Sequence, residues 1–251
     1  KGLSKVIARN MQRKIFSYSP FVYLVSKGML QELSTLYPNV NFRILTHSLP
    51  KLQNNLNSYQ ANLIKNNKII LTFLGNVNNS NLDSLKYLIN TLEKEKNILI
   101  YLITKTSRKN LIKNDLLKTN VILKNNVEDK DVINELNKSN FLLLPHGLNG
   151  PLSKEEYRSV FPTKTMHYLQ SIAPILSLLP SDSYLHKFLT DNQCAFCFTE
   201  KNKEEIISVF DNLQHNKQLI NKTIKNANKV AGKFSANNVL FRIRKEILNK
   251  F

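Results

Sequence analysis

The chain has 251 residues, 42% of them hydrophobic, and a formal net charge of +18. That length suffices for one large α/β domain, or for one domain plus part of another, with a real core. No apolar run approaches the roughly 18–20 residues that a membrane-spanning helix needs; the densest, such as Phe141 to Leu144, have strand length. The charge favours anionic partners: nucleic acid, acidic lipid headgroups or phosphorylated substrates. The lysines are scattered among asparagines and isoleucines through nearly every segment, which reads as compositional bias rather than a built patch. Cys194 and Cys197 sit in the apolar stretch CAFCF, where strand alternation sends them to opposite faces, so they read as buried structural thiols of a reducing cytoplasm. The chain starts at Lys1 with no charged, apolar, then small leader pattern, and reads as a segment with more chain upstream.

In chain order, Leu3, Val6, Ile7, Met11 and Ile15 recur at helical spacing, so Leu3 to Phe16 is predicted helical, and PFVYLVS reads as a buried strand from Pro20 to Ser26. A helix over Gly28 to Leu36 and a strand over Asn41 to Leu45 follow. The text then turns polar and Asn-rich between Thr46 and Asn67, which places a boundary there. After Lys68 the pattern alternates: strand KIILTFLG, helix Leu82 to Glu93, strand NILIYLI, helix Lys109 to Leu117, strand NVILK, helix Asp131 to Lys138, strand FLLLP. A helix from about Pro162 to Ser171, strand PILSLL, helix Tyr184 to Asp191, strand CAFCF and a mostly helical end complete it. Continuous apolar strands alternating with amphipathic helices predict a parallel sheet covered on both faces.

Ligands of such sheets bind beyond the carboxyl ends of the strands, in the loops after Leu74, Ile103, Leu123, Leu144 and Leu178. The longest, Pro145 to Phe161, carries two glycines, a histidine, an arginine and adjacent carboxylates, and leads into PTKTMHYL. Pro162 suits a first helical turn, which then offers Thr163, Lys164 and Thr165. A lysine there opposes the helix dipole, and an anion resolves the conflict: two hydroxyls, a cation and exposed amides make a phosphate cradle. The alternative for Lys164 is a surface side chain reaching to water. His146 follows a strand end and is better placed for function than His186 or His215, which fall in polar helices. His47, in THSLP, is expected at an interdomain hinge. No metal-ligand spacing occurs, so no metal or cofactor is expected.

The stretch SNFLLLP, a polar loop and FPTKTMHYLQSIAPIL resemble the pattern of "group 1" GT-B glycosyltransferases, especially the subset whose donor motif reads FP(S/T)K, then an EYLA-like helix. KIILTFLGN resembles the first strand and glycine turn of that donor domain. NVILKNNVEDKDVINELNKSN resembles its base-binding strand and loop, PSDSYLHKFLTDNQCAFCF its closing strands, and SPFVYLVSKGMLQEL the end of the acceptor domain. The resemblance implies residues 1–50 as the remnant of an acceptor-binding Rossmann-like domain, 51–65 as linker, and 66–251 as a Rossmann-like nucleotide-sugar donor domain, its last helix packing back on the first.

Carried over by position, the resemblance implies Lys164 and His146 as catalytic residues. Pro162, Thr163 and Thr165 would join Lys164 at the diphosphate, Gly75 and Asn76 would let the chain approach the sugar phosphate, and Gly147 and Leu148 would lie with His146 against the sugar. Val127 would border the base. His167 stands where the family has a ribose-binding glutamate, and Ile172 where it has glycine; Glu155, Glu156 and Arg158 are the loop residues that could substitute for the missing second carboxylate. The expected activity is metal-independent transfer from a nucleotide-diphosphate sugar to a glycan or lipid-linked acceptor, with no nucleic-acid partner. The expected location is cytoplasmic, at the inner, anionic face of a membrane. A non-catalytic GT-B-like module, favoured by His167 and Ile172, is the first alternative. Nucleic-acid binding through the basic helix 231–250 is the second; it lacks aromatic-rich strands and a recognition helix. A sugar-nucleotide epimerase of similar fold is a third.

Overall fold

The computed structural model describes residues 2–49, 68–124 and 127–248. The expected linker, 51–65, lies outside them. Helix α1 (Gly2–Tyr18) precedes a small unit in which β1 (Val22–Leu24) and β2 (Phe42–Ile44) pair in parallel through α2 (Lys27–Leu36). The expected strand Pro20 to Ser26 is shorter because Ser26 leaves it to cap α2, its hydroxyl accepting from the Met29 amide at 3.1 Å.

The larger unit alternates β3 (Ile69–Leu74), α3 (Leu82–Leu92), β4 (Ile98–Ile103), α4 (Arg108–Lys113), β5 (Val121–Lys124), α5 (Val132–Leu136) and β6 (Phe141–Leu143). Helices α6 (Lys154–Ser159) and α7 (Lys164–Gln170) lead to β7 (Ile175–Leu178), α8 (Tyr184–Asp191) and β8 (Phe196–Phe198). Three helices, α9 (Lys203–His215), α10 (Lys217–Ala231) and α11 (Ala236–Leu248), end the described chain. The six strands are all parallel, in the order β5-β4-β3-β6-β7-β8. This is the doubly wound arrangement, whose winding reverses between β3 and β6.

Both faces of the sheet are dry. Leu71, Phe73, Phe141, Leu143, Leu176 and Leu178 join one core with α3 and α9. The alternate residues Leu142, Leu144 and Ile175 join the other with α7, α8 and α10. Period-2 alternation thus feeds two cores, which is why the strands read as continuous apolar runs. Helix α4 stops earlier than its periodicity predicts because Asp115 takes φ 60°, and the Leu116 amide then bonds back to Leu111 O at 3.0 Å, turning Leu116 into the core. Cys194 is a buried and Cys197 a half-buried free thiol; Cys194 precedes β8, so the two pack on the same core rather than on opposite faces, and burial pushes the pKa of each up to about 12.

The small unit sits on the large one through close backbone approach. Ser26 Oγ donates to Ser159 O at 3.1 Å, and a Cβ on Gly28 would lie 2.7 Å from Tyr184 Cβ and 2.9 Å from Ser159 O. From the far end of the chain, Arg242 of α11 donates to Thr46 Oγ1 at 3.1 Å, and Tyr23 donates to Glu246 at 3.4 Å. Gly28→Ala forces backbone and Tyr184 apart, so it is expected to destabilise the protein by about 1–3 kcal/mol, as overpacked sites do, measured by denaturant unfolding.

Candidate functional site

The reversal of winding leaves a gap, since β3 and β6 pair only through Leu71 with Phe141 and Thr72 with Leu142. Beyond that point the Leu74 amide and the Leu143 carbonyl would face each other unpaired. Tyr168, wholly buried in α7, closes the gap: its hydroxyl accepts from Leu74 N at 2.8 Å and donates to Leu143 O at 3.1 Å. Burial raises its pKa, so the hydroxyl keeps its proton. Tyr168 is not among the residues expected at the site; its one signal in the sequence is a tyrosine on an apolar helix face, where the hydroxyl must find partners.

Lys164 lies one turn before Tyr168 on the same face of α7. Its side chain turns inward beneath the end of β3. Nζ stands 3.9 Å from the centre of the Phe73 ring, is shielded from solvent and has no hydrogen-bond partner among the described residues. Burial lowers its pKa from 10.5 to about 7. Gly75 passes directly over it with φ 106°; a Cβ there would lie 3.3 Å from Lys164 Cε and 3.4 Å from Nζ. The left-handed backbone favours glycine here, and a Cβ would also press on the end of the lysine side chain.

A cavity of about 720 Å³ opens at the carboxyl ends of β3, β4 and β5. It brings together four of the residues singled out from the sequence: Gly75, Asn76, Val127 and Thr163. The loop after β4, Thr104 to Arg108, forms the opposite wall with Lys124 and Asp129. It follows Ile103, one of the strand ends expected to carry the ligand loops, although it has no glycine-rich signature. The exposed Thr163 opens α7 without a side-chain cap, while two amides of the first turn are engaged within it: Thr165 N to Pro162 O at 3.0 Å and Met166 N to Thr163 O at 3.1 Å. Thr165 is fully buried, its hydroxyl without a partner among the described residues. His167 is half-buried; burial lowers its pKa and Asp129, on the cavity wall, opposes that shift.

The histidine of the long loop is placed differently. His146 is fully buried, edge-on to the Tyr157 ring, and its Nε2 meets Tyr157 O at 2.7 Å, which makes it the donor and leaves Nδ1 bare. Burial lowers its pKa, so it stays neutral. Gly147 is buried and Leu148 half-buried beside it. The sequence reading left the rest of this loop irregular, but residues 154–159 form α6, opened by a capping box between Ser153 and Glu156. The Ser-x-x-Glu spacing was the signal for it. Glu156 is thereby engaged locally, and Arg158 pairs with Asp182 at 2.8 Å. Among the described residues no cluster of three or more His, Cys, Asp or Glu could hold a metal ion, and no helix is long and apolar enough to cross a membrane.

This sheet order, with its site at the reversal of winding and a second small parallel unit ahead of it, defines a Rossmann-like fold of the GT-B glycosyltransferase type. Solved structures agree. Sucrose-phosphate synthase from Thermosynechococcus elongatus matches at a TM-score of 0.71 and 10% identity, over 96% of this chain and 60% of its own. Anabaena HepE, in complex with UDP-glucose, matches at 0.66 and 10% identity, over 93% and 65%, and a glycosyltransferase from Rickettsia africae at 0.62 and 16%, over 91% and 63%. The chain therefore spans under two thirds of the length of these three structures. No family model and no curated protein matches it by sequence.

An unpaired buried ammonium lowers stability, because its charged form has lost water and gained no anion. Lys164→Met is expected to stabilise the free protein by about 1–4 kcal/mol near neutral pH. The folded pKa, about 7, lies below the unfolded value of 10.5, so the unfolded state binds the extra proton between them and wild-type stability rises with pH across that window. The advantage of the variant should be full below pH 7 and vanish by about pH 10.5, as followed by urea unfolding.

Proposed function

We propose that this chain is the donor-binding part of a glycosyltransferase that moves a sugar from a nucleotide-diphosphate donor to a glycan or lipid-linked acceptor. In this reading residues 66–251 bind the donor, and residues 1–50 end an acceptor-binding domain. The observation that carries it is the Lys164 ammonium, unpartnered beneath the one glycine, Gly75, at which the backbone borders both the cation and the cavity. A diphosphate leaving group gathers negative charge as the glycosidic bond breaks. A cation already held in a dry site stabilises that charge without reorganising. Lys164 is the cation we assign to this task, in place of a divalent ion, with Thr163, Gly75 and Asn76 lining the diphosphate, Val127 bordering the base and His167 with Asp129 near the ribose. The loop at Gly147 and Leu148 borders the sugar, with the buried His146 behind it as a neutral imidazole held by Tyr157 O.

A second cavity, of about 480 Å³, is shared between the two units, with Ser26, Lys27 and Thr46 from one and Phe161, Tyr184 and Phe188 from the other. Lys27, Lys187, Lys233 and Arg242 face one carboxylate there, Asp191, which favours an anionic acceptor. The net charge of +18 favours an acidic membrane surface in the same way. A second reading, a donor-binding subunit that transfers nothing, is favoured by His167 and by the engagement of Glu156 and Arg158 in local structure.

Thermal unfolding with UDP, GDP, CDP and ADP tests the proposal. At least one should raise the melting temperature by several degrees, since a ligand at 100 times its Kd adds about 2.7 kcal/mol, and Lys164→Ala should remove the shift. Binding requires the protonated amine, so affinity should fall by up to about tenfold per pH unit above 7. No shift with any nucleotide rejects the reading, and binding without turnover of any nucleotide sugar selects the second one.

A further inference from the structure

The loop that follows β6 is held from behind by a residue the sequence reading did not single out. Asp83 lies in the first turn of α3, and its Oδ2 accepts from two consecutive backbone amides, Leu148 N at 3.0 Å and Asn149 N at 2.9 Å. The neighbouring bonds run the same way: Gly147 N donates to Ser80 O at 2.7 Å, Ser84 Oγ to His146 O at 2.8 Å, and Tyr157 Oη to Asn79 O at 3.0 Å. The loop is thereby laid flat on the start of α3. It fits only because residue 147 has no side chain, since a Cβ there would stand 2.8 Å from Asp83 Oδ1 and 2.5 Å from the Tyr157 ring.

An acid in a first helical turn gains a little from the helix dipole wherever it points. That general preference does not account for both amides of one loop converging on one carboxylate oxygen, nor for Oδ1 being buried with no partner among the described residues. Hydrogen bonds to a charged acceptor are roughly twice as strong as neutral ones, so this pair is the strongest tether of the loop to the scaffold. Asp83 lines a separate surface pocket with Leu82, Lys86 and Asn149 and is not among the residues that line the large cavity.

We propose that Asp83 is a positioning residue: by gripping the Leu148 and Asn149 amides it fixes the loop that contacts the sugar of the donor, and so sets the affinity for the glycosyl group while leaving that for the nucleotide untouched. This rests on the donor reading above, and the experiment separates the two. Wild type, Asp83→Ala and Asp83→Asn are compared as whole chains by amide hydrogen exchange and by titration with UDP, GDP, CDP and ADP and with their glucose, galactose, mannose and N-acetylglucosamine conjugates. Asparagine keeps an acceptor oxygen for the two amides, and alanine does not.

In Asp83→Ala the Leu148 and Asn149 amides should lose protection. The extra affinity of a sugar conjugate over its parent diphosphate should fall by about tenfold, the cost of a misplaced contact, with diphosphate affinity unchanged. Asp83→Asn should restore both. Equal protection of the two amides without the carboxylate overturns the inference. So does an equal loss for diphosphates and conjugates, or a wild type that binds every conjugate no better than its diphosphate. A wild type that binds no nucleoside diphosphate overturns the donor reading and the sugar role together, while the exchange data still decide whether Asp83 holds the loop.

Discussion

The site depends on one hydroxyl. Where the winding of a doubly wound sheet reverses, the two central strands diverge and each leaves a backbone group without its ladder partner, at a depth where an unmade hydrogen bond is costly. Tyr168 supplies both partners at once, accepting from Leu74 N and donating to Leu143 O. This fixes the rotation and depth of α7 against β3 and β6. Because side chains four apart share a helix face, it also fixes where Lys164 arrives: under Gly75, over Phe73, at the mouth of the same gap. The structural bond and the candidate chemistry are two turns of one short helix, and neither can move alone.

That arrangement sets an electrostatic conflict which nothing else among the described residues resolves. The ammonium has lost water, its nearest contact is the face of an aromatic ring, and no carboxylate reaches it. A cation–π contact recovers part of the lost hydration, about 0.5–2 kcal/mol, against several for the burial of an ion. The remainder appears as a pKa brought down to about 7. A side chain serving stability alone would be better replaced by methionine or leucine, so an anionic ligand is the simplest reason for a lysine to be kept here. The first-turn amides of α7 are a weaker argument for that ligand than the sequence made them, since those of Thr165 and Met166 already bond within the turn.

The sheet was legible because its central strands, β6 and β7 above all, are buried on both faces, and an apolar run bounded by polar loops carries that information locally. Gly75, Asn76 and Val127 follow from the family resemblance and Thr163 also from the helix start; they gather around one cavity because parallel strands deliver their following loops to one edge. What stayed hidden were pairings between distant residues. Asp83 reads as an ordinary helix-start acid until Leu148 and Asn149 are seen to converge on it, 65 and 66 positions later. Tyr168 reads as core until Leu74, 94 positions earlier, is found bonded to its hydroxyl. His146 was picked out by its place after a strand, but that place also delivers it into the interior, where Tyr157 O takes its Nε2. Helix α6 was local and readable from Ser153 and Glu156; the polar character of the loop masked it.

The charge pattern around the cleft follows from the same geometry. Of the loop candidates for a second carboxylate or its substitute, Glu156 closes the start of α6 and Arg158 pairs with Asp182. Asp129 is the one carboxylate on the large cavity, against Lys105, Arg108 and Lys124, with the Lys164 ammonium beneath Gly75. A cleft with that balance carries a field that favours anions over cations at long range, and the buried cation adds to it at short range. It is poorly suited to a general base, which a carboxylate or an exposed imidazole would have to provide, because Asp129 faces His167 and His146 is shut away. If transfer occurs here, the large unit contributes the electrophile and its leaving group, and the proton acceptor for the incoming hydroxyl has to come from across the second cavity, on the side of β1 and α2.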